Sequence, residues 1–177
     1  MAADTLRIVQ ANERDIPLIH TFIRELAEYE RLLHDVIATE DQLRRTLFGS
    51  RPAAEIVIAY DGADPAGFAI FFQSYSTFLA KPGLYLEDLF VRPSARGKGI
   101  GRRLLTYLAR LAVDRDYGRL EWRVLDWNET AIRFYRSIGA QPLGDWTEFR
   151  VTGDALRALA GQNTQTTDEE SGMRNEE

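Results

Sequence analysis

The order of apolar and polar residues along the chain predicts strands and helices in succession. Between Asp15 and Leu33, apolar residues recur every three to four positions, which predicts a long amphipathic helix. Thr39-Glu40-Asp41-Gln42 has the residue types of a capping box and predicts a second helix that ends at Gly49. The order β-α-α-β-β-β-α-β-α-β predicts an α/β domain with a mixed sheet. The other predicted elements are strands Leu6–Gln10, Glu55–Tyr60, Gly67–Phe72, Leu84–Val91, Arg119–Leu125 and Glu148–Val151, a loop Ser74–Gly83, helices Gly99–Arg115 and Asn128–Ile138, the helix cap Gly139 and a closing helical turn Ala155–Ala160.

Composition narrows the class of protein. With 177 residues and 45% apolar content, the chain predicts one globular domain over 1–160. Residues 161–177 carry five acidic side chains against one arginine, so most of the net charge of −5 lies in a tail that we expect to be disordered. The near-neutral remainder argues against nucleic acid as a partner. No apolar run or signal pattern predicts a membrane span or secretion, and the absence of cysteine fits a cytoplasmic protein.

A glycine-rich turn follows the predicted strand Leu84–Val91. Arg96-Gly97-Lys98-Gly99-Ile100-Gly101 lies between that strand and a helix, where glycines and a helix start suit a phosphate. It is not a P-loop, because GxxxxGK[ST] is absent, and Arg102 occupies the third glycine position of a dinucleotide fingerprint. From the glycines alone, a phosphate site and a plain connector stay equally open.

The wider segment from Val91 to Gly101, V-R-P-S-A-R-G-K-G-I-G, strongly resembles the acetyl-CoA motif of the GCN5-related N-acetyltransferases, the GNAT superfamily. The resemblance extends over about residues 5–160. It implies a single GNAT-type domain with a mixed, mostly antiparallel central sheet flanked by helices. It also implies acetyl-CoA as co-substrate, held by the amides of the turn and by the preceding strand.

Three further segments resemble the diamine (spermidine/spermine) acetyltransferase branch of that superfamily. They are R-E-L-A-E-Y-E at 24–30, L-Y-L-E-D-L-F-V at 84–91 and W-N-E-T-A-I-R-F-Y at 127–135. The loop Tyr75-Ser76-Thr77-Phe78 lacks the acidic residue of the polyamine enzymes and is more similar to the thialysine-acetylating relatives. The resemblance therefore implies a primary amine of a small diamine, polyamine or lysine-like substrate.

Amine acetylation requires a base for the ammonium, donors for the developing oxyanion and an acid for the thiolate. Glu87 is the first candidate base, because a carboxylate within an apolar strand is costly unless it is paired or functional. Strand alternation predicts Tyr85, Glu87, Leu89 and Val91 on one face and Asp88 and Phe90 on the other, and Asp88 ranks second. A structural ion pair of Glu87 with an arginine is the alternative.

The resemblance supplies the remaining site residues. It implies Glu87 as base through a water and Tyr135 as the acid that protonates the thiolate, although a tyrosine beside Phe134 also suits a core. The acyl-CoA residues that it implies are Leu89, Phe90, Val91, Arg96, Gly97, Lys98, Gly99, Ile100, Gly101, Arg102, Asn128, Glu129, Thr130 and Ala131. The substrate residues that it implies are Tyr29, Glu30, Glu87, Glu121, Trp122, Arg123 and Asp145.

The sequence leaves more than one function open. The first expectation is an acetyl-CoA-dependent N-acetyltransferase that works by direct attack in a ternary complex, since no cysteine could carry an acetyl group. The alternatives are a GNAT enzyme acting on an antibiotic amine or a protein lysine, and a non-catalytic acyl-CoA sensor. The two histidines lack metal-ligand spacing, so no metal is expected. The resemblance further implies a homodimer.

Overall fold

The computed structural model describes residues 6–161, and a boundary after Asn128 divides them into two units. No helix in that range is long and apolar enough to cross a membrane. The first unit contains strands β1 Leu6–Gln10, β2 Glu55–Asp61, β3 Asp64–Ser76, β4 Lys81–Val91 and β5 Leu120–Trp122, with helices α1 Ile16–Tyr29, α2 Glu40–Leu47 and α3 Ile100–Asp114. The second contains helices α4 Glu129–Ser137 and α5 Gly153–Gly161.

The strands of the first unit form one sheet in the order β1-β2-β3-β4-β5. The first three pairings are antiparallel and the β4–β5 pairing is parallel, which confirms the mixed, mostly antiparallel sheet. Phe22 of α1 packs edge-on against Phe90 of β4, with ring centroids 6.4 Å apart. Gly101 of α3 lies beside Leu89 and Val91, the neighbours of Phe90 in β4. Because neighbouring strand residues point to opposite faces, α1 and α3 cover opposite faces of the sheet.

A β-bulge interrupts β4 at Glu87. Ile70 of β3 pairs with Asp88, but the next residue of β3, Phe71, pairs with Leu86, so Glu87 is the extra residue. A bulge bends its strand and re-aims side chains. Directly paired residues share a face, so Tyr85, opposite Phe72, lies on the same face as Asp88, opposite Ile70. The prediction that Tyr85 shares a face with Leu89 and Val91 is therefore wrong.

Two helices end at residues that the sequence pattern does not mark as caps. The pattern extends α1 to Leu33, but the helix ends at Tyr29 because Arg31 adopts a φ of +64°. The N–H groups of Arg31 and Leu32 donate to carbonyls three and five residues earlier, at 3.1 and 2.8 Å, which is a Schellman motif without glycine. Asp116, with a φ of +54°, closes α3 in the same way.

The predicted loop Ser74–Gly83 is mostly strand. β3 and β4 pair as far as Ser76 and Lys81, so only residues 77–80 form the turn of a long hairpin. At roughly 3.3 Å per residue, this turn begins about 20 Å along β4 from Glu87. The serine, proline and glycine residues of this segment suggested a loop, but they are paired within the β3–β4 ladder.

Only some of the elements predicted from the sequence pattern occur in the second unit. The α4 helix and its left-handed cap are as predicted, with Gly139 at a φ of +90°. The strand predicted at Glu148–Val151 is wrong, because none of the described residues forms a ladder with that segment. In the first unit, β5 is shorter than the predicted Arg119–Leu125. The predicted tail 161–177 lies outside the described residues, apart from Gly161, which ends α5.

Candidate active site

The glycine-rich turn presents its backbone without side-chain obstruction. Gly97 and Gly99 have φ values of +78° and +76°, a region that glycine adopts without strain. A Cβ built on either residue would meet no atom within 4 Å, so the space beside the turn is open. Gly99 immediately precedes α3, and the first turn of a helix offers backbone N–H groups and a positive dipole end to an anion. The turn therefore fits the pyrophosphate of an acyl-CoA.

Two basic side chains of this turn make contacts outside it. Arg96 Nε donates to the carbonyl oxygen of Val91 at 3.0 Å, which ties the turn to the end of β4. Lys98 Nζ lies 2.7 Å from Asp61 Oδ2 at the end of β2. The other predicted acyl-CoA residues of this unit are contiguous with the turn: Leu89, Phe90 and Val91 end β4, and Ile100, Gly101 and Arg102 begin α3.

Acetyl-CoA should raise the melting temperature of the protein, and Gly99→Val should abolish that rise. At 100 times its Kd, acetyl-CoA should add about 2.7 kcal/mol to the free energy of unfolding. Valine at position 99 would fill the open space and is strained at this positive φ. Gly153→Val is the control, because Gly153 also begins a helix with a positive φ, of +59°. Both variants should melt lower, but an acetyl-CoA response retained by Gly99→Val would contradict this binding site.

Three carboxyl groups meet where α1 ends and β4 bulges. The pKa of Asp88 is raised to about 6, mainly by burial and then by the negative charges of Glu87 and Glu30, while Arg123 opposes the rise. Burial also raises the pKa of Glu30, the residue that follows α1. A carboxyl group that titrates near pH 6 is suited to exchange protons near neutral pH. The fold thus brings two predicted site residues, Glu30 and Glu87, close enough to Asp88 for their charges to raise its pKa.

Aromatic rings adjoin this acidic cluster. Tyr29, next to Glu30, has its ring centroid 6.0 Å from that of Trp127. The guanidinium carbon of Arg96 lies 4.5 Å from the Tyr29 centroid, so a cation–π contact links the acyl-CoA turn to the end of α1. Sequence reasoning did not select Trp127 as a site residue. Its position directly before Asn128, within the segment that carries the resemblance, was the available signal.

The predicted substrate residues of the β5 region have different partners. Trp122 is paired with Leu86 in the parallel ladder. Glu121 Oε2 lies 2.7 Å from Arg119 Nε, a neighbour two residues earlier. Arg123, directly after β5, lies near Glu87 instead, with 3.7 Å between Nη2 and Oε1. The structure therefore places Arg123 in the acidic cluster and engages Glu121 in a pair of its own.

The remaining predicted residues border or belong to the second unit. Tyr135 of α4 has its ring centroid 5.6 Å from that of Phe134, and burial raises the pKa of its hydroxyl. The hydroxyl therefore stays protonated at neutral pH, as a proton donor requires. Asp145 lies outside any helix or strand. Of the predicted acyl-CoA residues, Asn128 directly precedes α4, and Glu129, Thr130 and Ala131 form its first turn.

Comparison with known proteins decides the family. The model of the Acetyltransferase (GNAT) family matches residues 19–140. The chain belongs to this family. It is accordingly an acetyl-CoA-dependent N-acetyltransferase, as the glycine-rich turn and its flanking residues suggested. The resemblance stated from the sequence is confirmed at the level of the superfamily.

Individual relatives of this GNAT enzyme are named for the acetylation of amines. It is 37% identical to an L-ornithine N5-acetyltransferase of Arabidopsis thaliana, over 86% of this chain and 87% of that protein. It is 40% identical to the thialysine N-epsilon-acetyltransferase of Bos taurus, over 88% of this chain and 97% of that protein. A human spermidine/spermine N(1)-acetyltransferase-like protein 1 is 32% identical over 89% of this chain but only 24% of its own length. Both branches named from the sequence therefore occur among its relatives.

Proposed function

We propose that this enzyme acetylates a primary amine of a small diamine, polyamine or lysine-like substrate. The observation that carries the proposal is the acidic cluster at the β4 bulge, where the pKa of Asp88 is raised to about 6 beside Glu87 and Glu30. Carboxylates attract an alkylammonium, and the adjoining Tyr29 and Trp127 rings suit its methylene chain and positive charge. The relatives that act on ornithine and thialysine support the same substrate class.

The transfer is a single displacement between two bound substrates. The amine nitrogen forms a bond to the thioester carbonyl carbon as the C–S bond breaks, and the sulfur leaves as a thiolate. The attacking ammonium, with a pKa of about 10.4, must first release a proton. Glu87 accepts that proton through a water molecule, since its side chain is 44% exposed at the bulge. Tyr135 gives a proton to the thiolate. The nitrogen loses a second proton as the amide forms, and this proton restores the Tyr135 hydroxyl, so one proton is released overall for each acetyl group transferred.

A release assay for free CoA over a panel of amines tests this function. We expect CoA release with short alkyl diamines or diamino acids, and little release with an aminoglycoside or a lysine-containing peptide. The matched chemical control is the same panel with every amine already acetylated, which offers no nucleophile. Turnover of the aminoglycoside or the peptide alone would favour a different acceptor. Stabilisation by acetyl-CoA without turnover of any amine would favour a sensor.

We also propose a homodimer. Its support among the described residues is the tip of the β3–β4 hairpin, where Phe78 is 95% exposed and the side chains of Tyr75 and Leu79 are more than half exposed. Light scattering should give twice the monomer mass of 20.2 kDa, and Phe78→Lys should shift the species toward the monomer. The control is Val113→Lys on α3, another exposed apolar position. A wild-type mass of 20.2 kDa at working concentration would contradict the dimer.

A further inference from the structure

An arginine directly follows β4 and begins the connection to the glycine-rich turn. The backbone N–H of Arg92 donates to the carbonyl oxygen of Ala66 in β3 at 2.9 Å, just beyond the last pair of the β3–β4 ladder. A short 3-10 turn, Pro93–Ala95, separates this residue from Arg96, where the glycine-rich turn begins. The place of Arg92 therefore determines where the glycine-rich turn starts.

The guanidinium of Arg92 contacts two other elements with its three nitrogen atoms. Nε and Nη2 donate to the two carboxylate oxygens of Glu25 in α1, each at 2.8 Å. Nη1 donates to the carbonyl oxygen of Pro65, near the start of β3, at 2.9 Å. The guanidinium carbon lies 4.7 Å from the ring centroid of Phe22, a fully buried ring that stacks on Phe68. One side chain thus joins the end of β4 to α1, to β3 and to the core.

The ion pair of Glu25 with Arg92 has the geometry that makes such pairs effective. Two N–H groups reach both oxygens of one carboxylate, and the side chains of Arg92 and Glu25 are only 27% and 32% exposed. An exposed ion pair with a single contact usually contributes little to stability. A two-pronged pair between arginine and a carboxylate is stronger and more directional, so it holds the arginine in one orientation.

A second arginine, within the glycine-rich turn itself, contacts the same helix. The guanidinium carbon of Arg96 lies 4.5 Å from the ring centroid of Tyr29 at the end of α1. Phe22, Glu25 and Tyr29 follow one another at spacings of three and four residues, so they share one face of α1. Arg92 contacts the first two and Arg96 the third. The start of the glycine-rich turn is therefore held against one helix face at two points.

The glycine-rich turn depends on its neighbours for order. Backbone N–H groups bind an anion strongly only when they converge on it. The positive φ values of Gly97 and Gly99 permit such a conformation, but glycine also adopts many others at little cost. Neither glycine has a side chain that could pack against the sheet. Helix α3 orders the turn from one side, and Arg92 is in the place to order it from the other.

We propose that Arg92 is a positioning residue, and that its ion pair with Glu25 holds the glycine-rich turn in the conformation that binds acetyl-CoA. Neither residue needs to touch the ligand. Without the pair, the turn would occupy the binding conformation for a smaller fraction of the time, and the apparent affinity would fall in proportion to that fraction. The inference rests on the proposed binding of acetyl-CoA at this turn and is independent of which amine is the acceptor.

Glu25→Gln tests the ion pair and leaves the contacts of Arg92 with Phe22 and Pro65 in place. The amide has the size of the carboxylate but lacks its charge and one of its two acceptor oxygens. We expect the Kd for acetyl-CoA, measured by titration calorimetry well below the melting temperature, to rise by about 10-fold. An unchanged Kd would overturn the proposal.

The double variant Glu25→Gln/Arg92→Gln tests whether the two side chains act as a unit. Arg92→Gln should raise the Kd at least as much as Glu25→Gln, and the double variant should bind no more weakly than Arg92→Gln alone, because both changes remove the same interaction. Two rises that multiply in the double variant would overturn the proposal. If Arg92→Gln fails to fold, the Kd of Glu25→Gln decides the question alone.

A second two-pronged pair of arginine with glutamate provides the matched control. Arg115 donates to both carboxylate oxygens of Glu55, and both side chains are 34% exposed. Arg115 follows the 15 residues of α3, so it lies about 22 Å along the helix from the glycine-rich turn. Glu55→Gln should lower the melting temperature but leave the Kd for acetyl-CoA unchanged. An equal rise in Kd in Glu55→Gln would mean that lost stability weakens binding, and would overturn the positioning role.

Failure of the inference can be distinguished from failure of the binding site. Acetyl-CoA binding retained by Gly99→Val would overturn the turn as the binding site, and this inference with it. Binding lost in Gly99→Val but unchanged in Glu25→Gln would leave the site in place and overturn only the role of Arg92.

Discussion

We expect Glu87→Gln to lower kcat/KM for amine acetylation by about 10²–10⁴-fold at pH 7, the usual contribution of a general base. The loss should shrink as the pH rises, because a larger fraction of the free amine is then already neutral. If Glu87 only formed an ion pair with Arg123, the variant would melt at a lower temperature and show no such recovery. The pH dependence of kcat/KM, measured with melting temperatures, distinguishes the two roles.

Asp88→Asn is the comparison within the same pair of carboxyl groups. The pKa of the Asp88 carboxyl is raised to about 6, so a titration near pH 6 should be present in the wild-type profile of kcat/KM against pH and absent from that of the variant. Its loss of rate should be smaller than that of Glu87→Gln. A larger loss in Asp88→Asn would transfer the role of base to Asp88. Glu28→Gln, at an exposed position of α1, should leave kcat/KM unchanged.

The raised pKa of Asp88 also fixes the sign of an effect on stability. Its folded-state pKa of about 6 lies above the ordinary value of 3.8, so folding favours the protonated form. The stability that this contributes is complete below pH 3.8 and is lost as the pH rises through about 6. The melting temperature of Asp88→Asn, relative to wild type, should therefore be higher at pH 8 than at pH 5.

Regular elements of the fold follow from local sequence patterns. The capping box at Thr39 forms as predicted, with Gln42 N–H donating to Thr39 Oγ1 at 3.3 Å. Gly139 adopts the left-handed conformation at the end of α4. In both places a single residue type has a strong preference for the conformation that is needed. The ends of α1 and α3 could not be found in this way, because Arg31 and Asp116 adopt positive φ without being glycine.

The conformation of the glycine-rich turn could be predicted from sequence more completely than the arrangement of the proposed amine site. The turn is one continuous segment of the chain, and its glycines indicate the backbone conformation directly. The proposed amine site combines Glu30, the residue after α1, with Asp88 of β4 and Arg123 just past β5, and only the fold brings them together. The bulge at Glu87 was also hidden, because an extra residue in a ladder shows only in the register with the neighbouring strand. The raised pKa of Asp88 could not be predicted for the same reason, because it depends on burial in the fold and on the charges of Glu87 and Glu30.

We expect Tyr135→Phe to lower kcat by about 10²–10⁴-fold, the usual contribution of a general acid. Burial raises the pKa of the Tyr135 hydroxyl, so it holds its proton throughout the neutral range and can donate it to the departing thiolate. The ring remains in the variant and keeps its packing with Phe134. The KM for acetyl-CoA and the melting temperature should therefore stay close to wild type.

A second tyrosine provides the control for loss of a hydroxyl. Tyr107→Phe, on α3, removes the same group from a residue without an assigned role and should retain full activity. A loss confined to Tyr135→Phe, seen in kcat and not in KM, indicates proton donation during the transfer, because a packing defect would also lower the melting temperature. Full activity in Tyr135→Phe would mean that the thiolate leaves unassisted or that another residue protonates it. In that case the base at Glu87 would stand and the acid would have to be sought elsewhere.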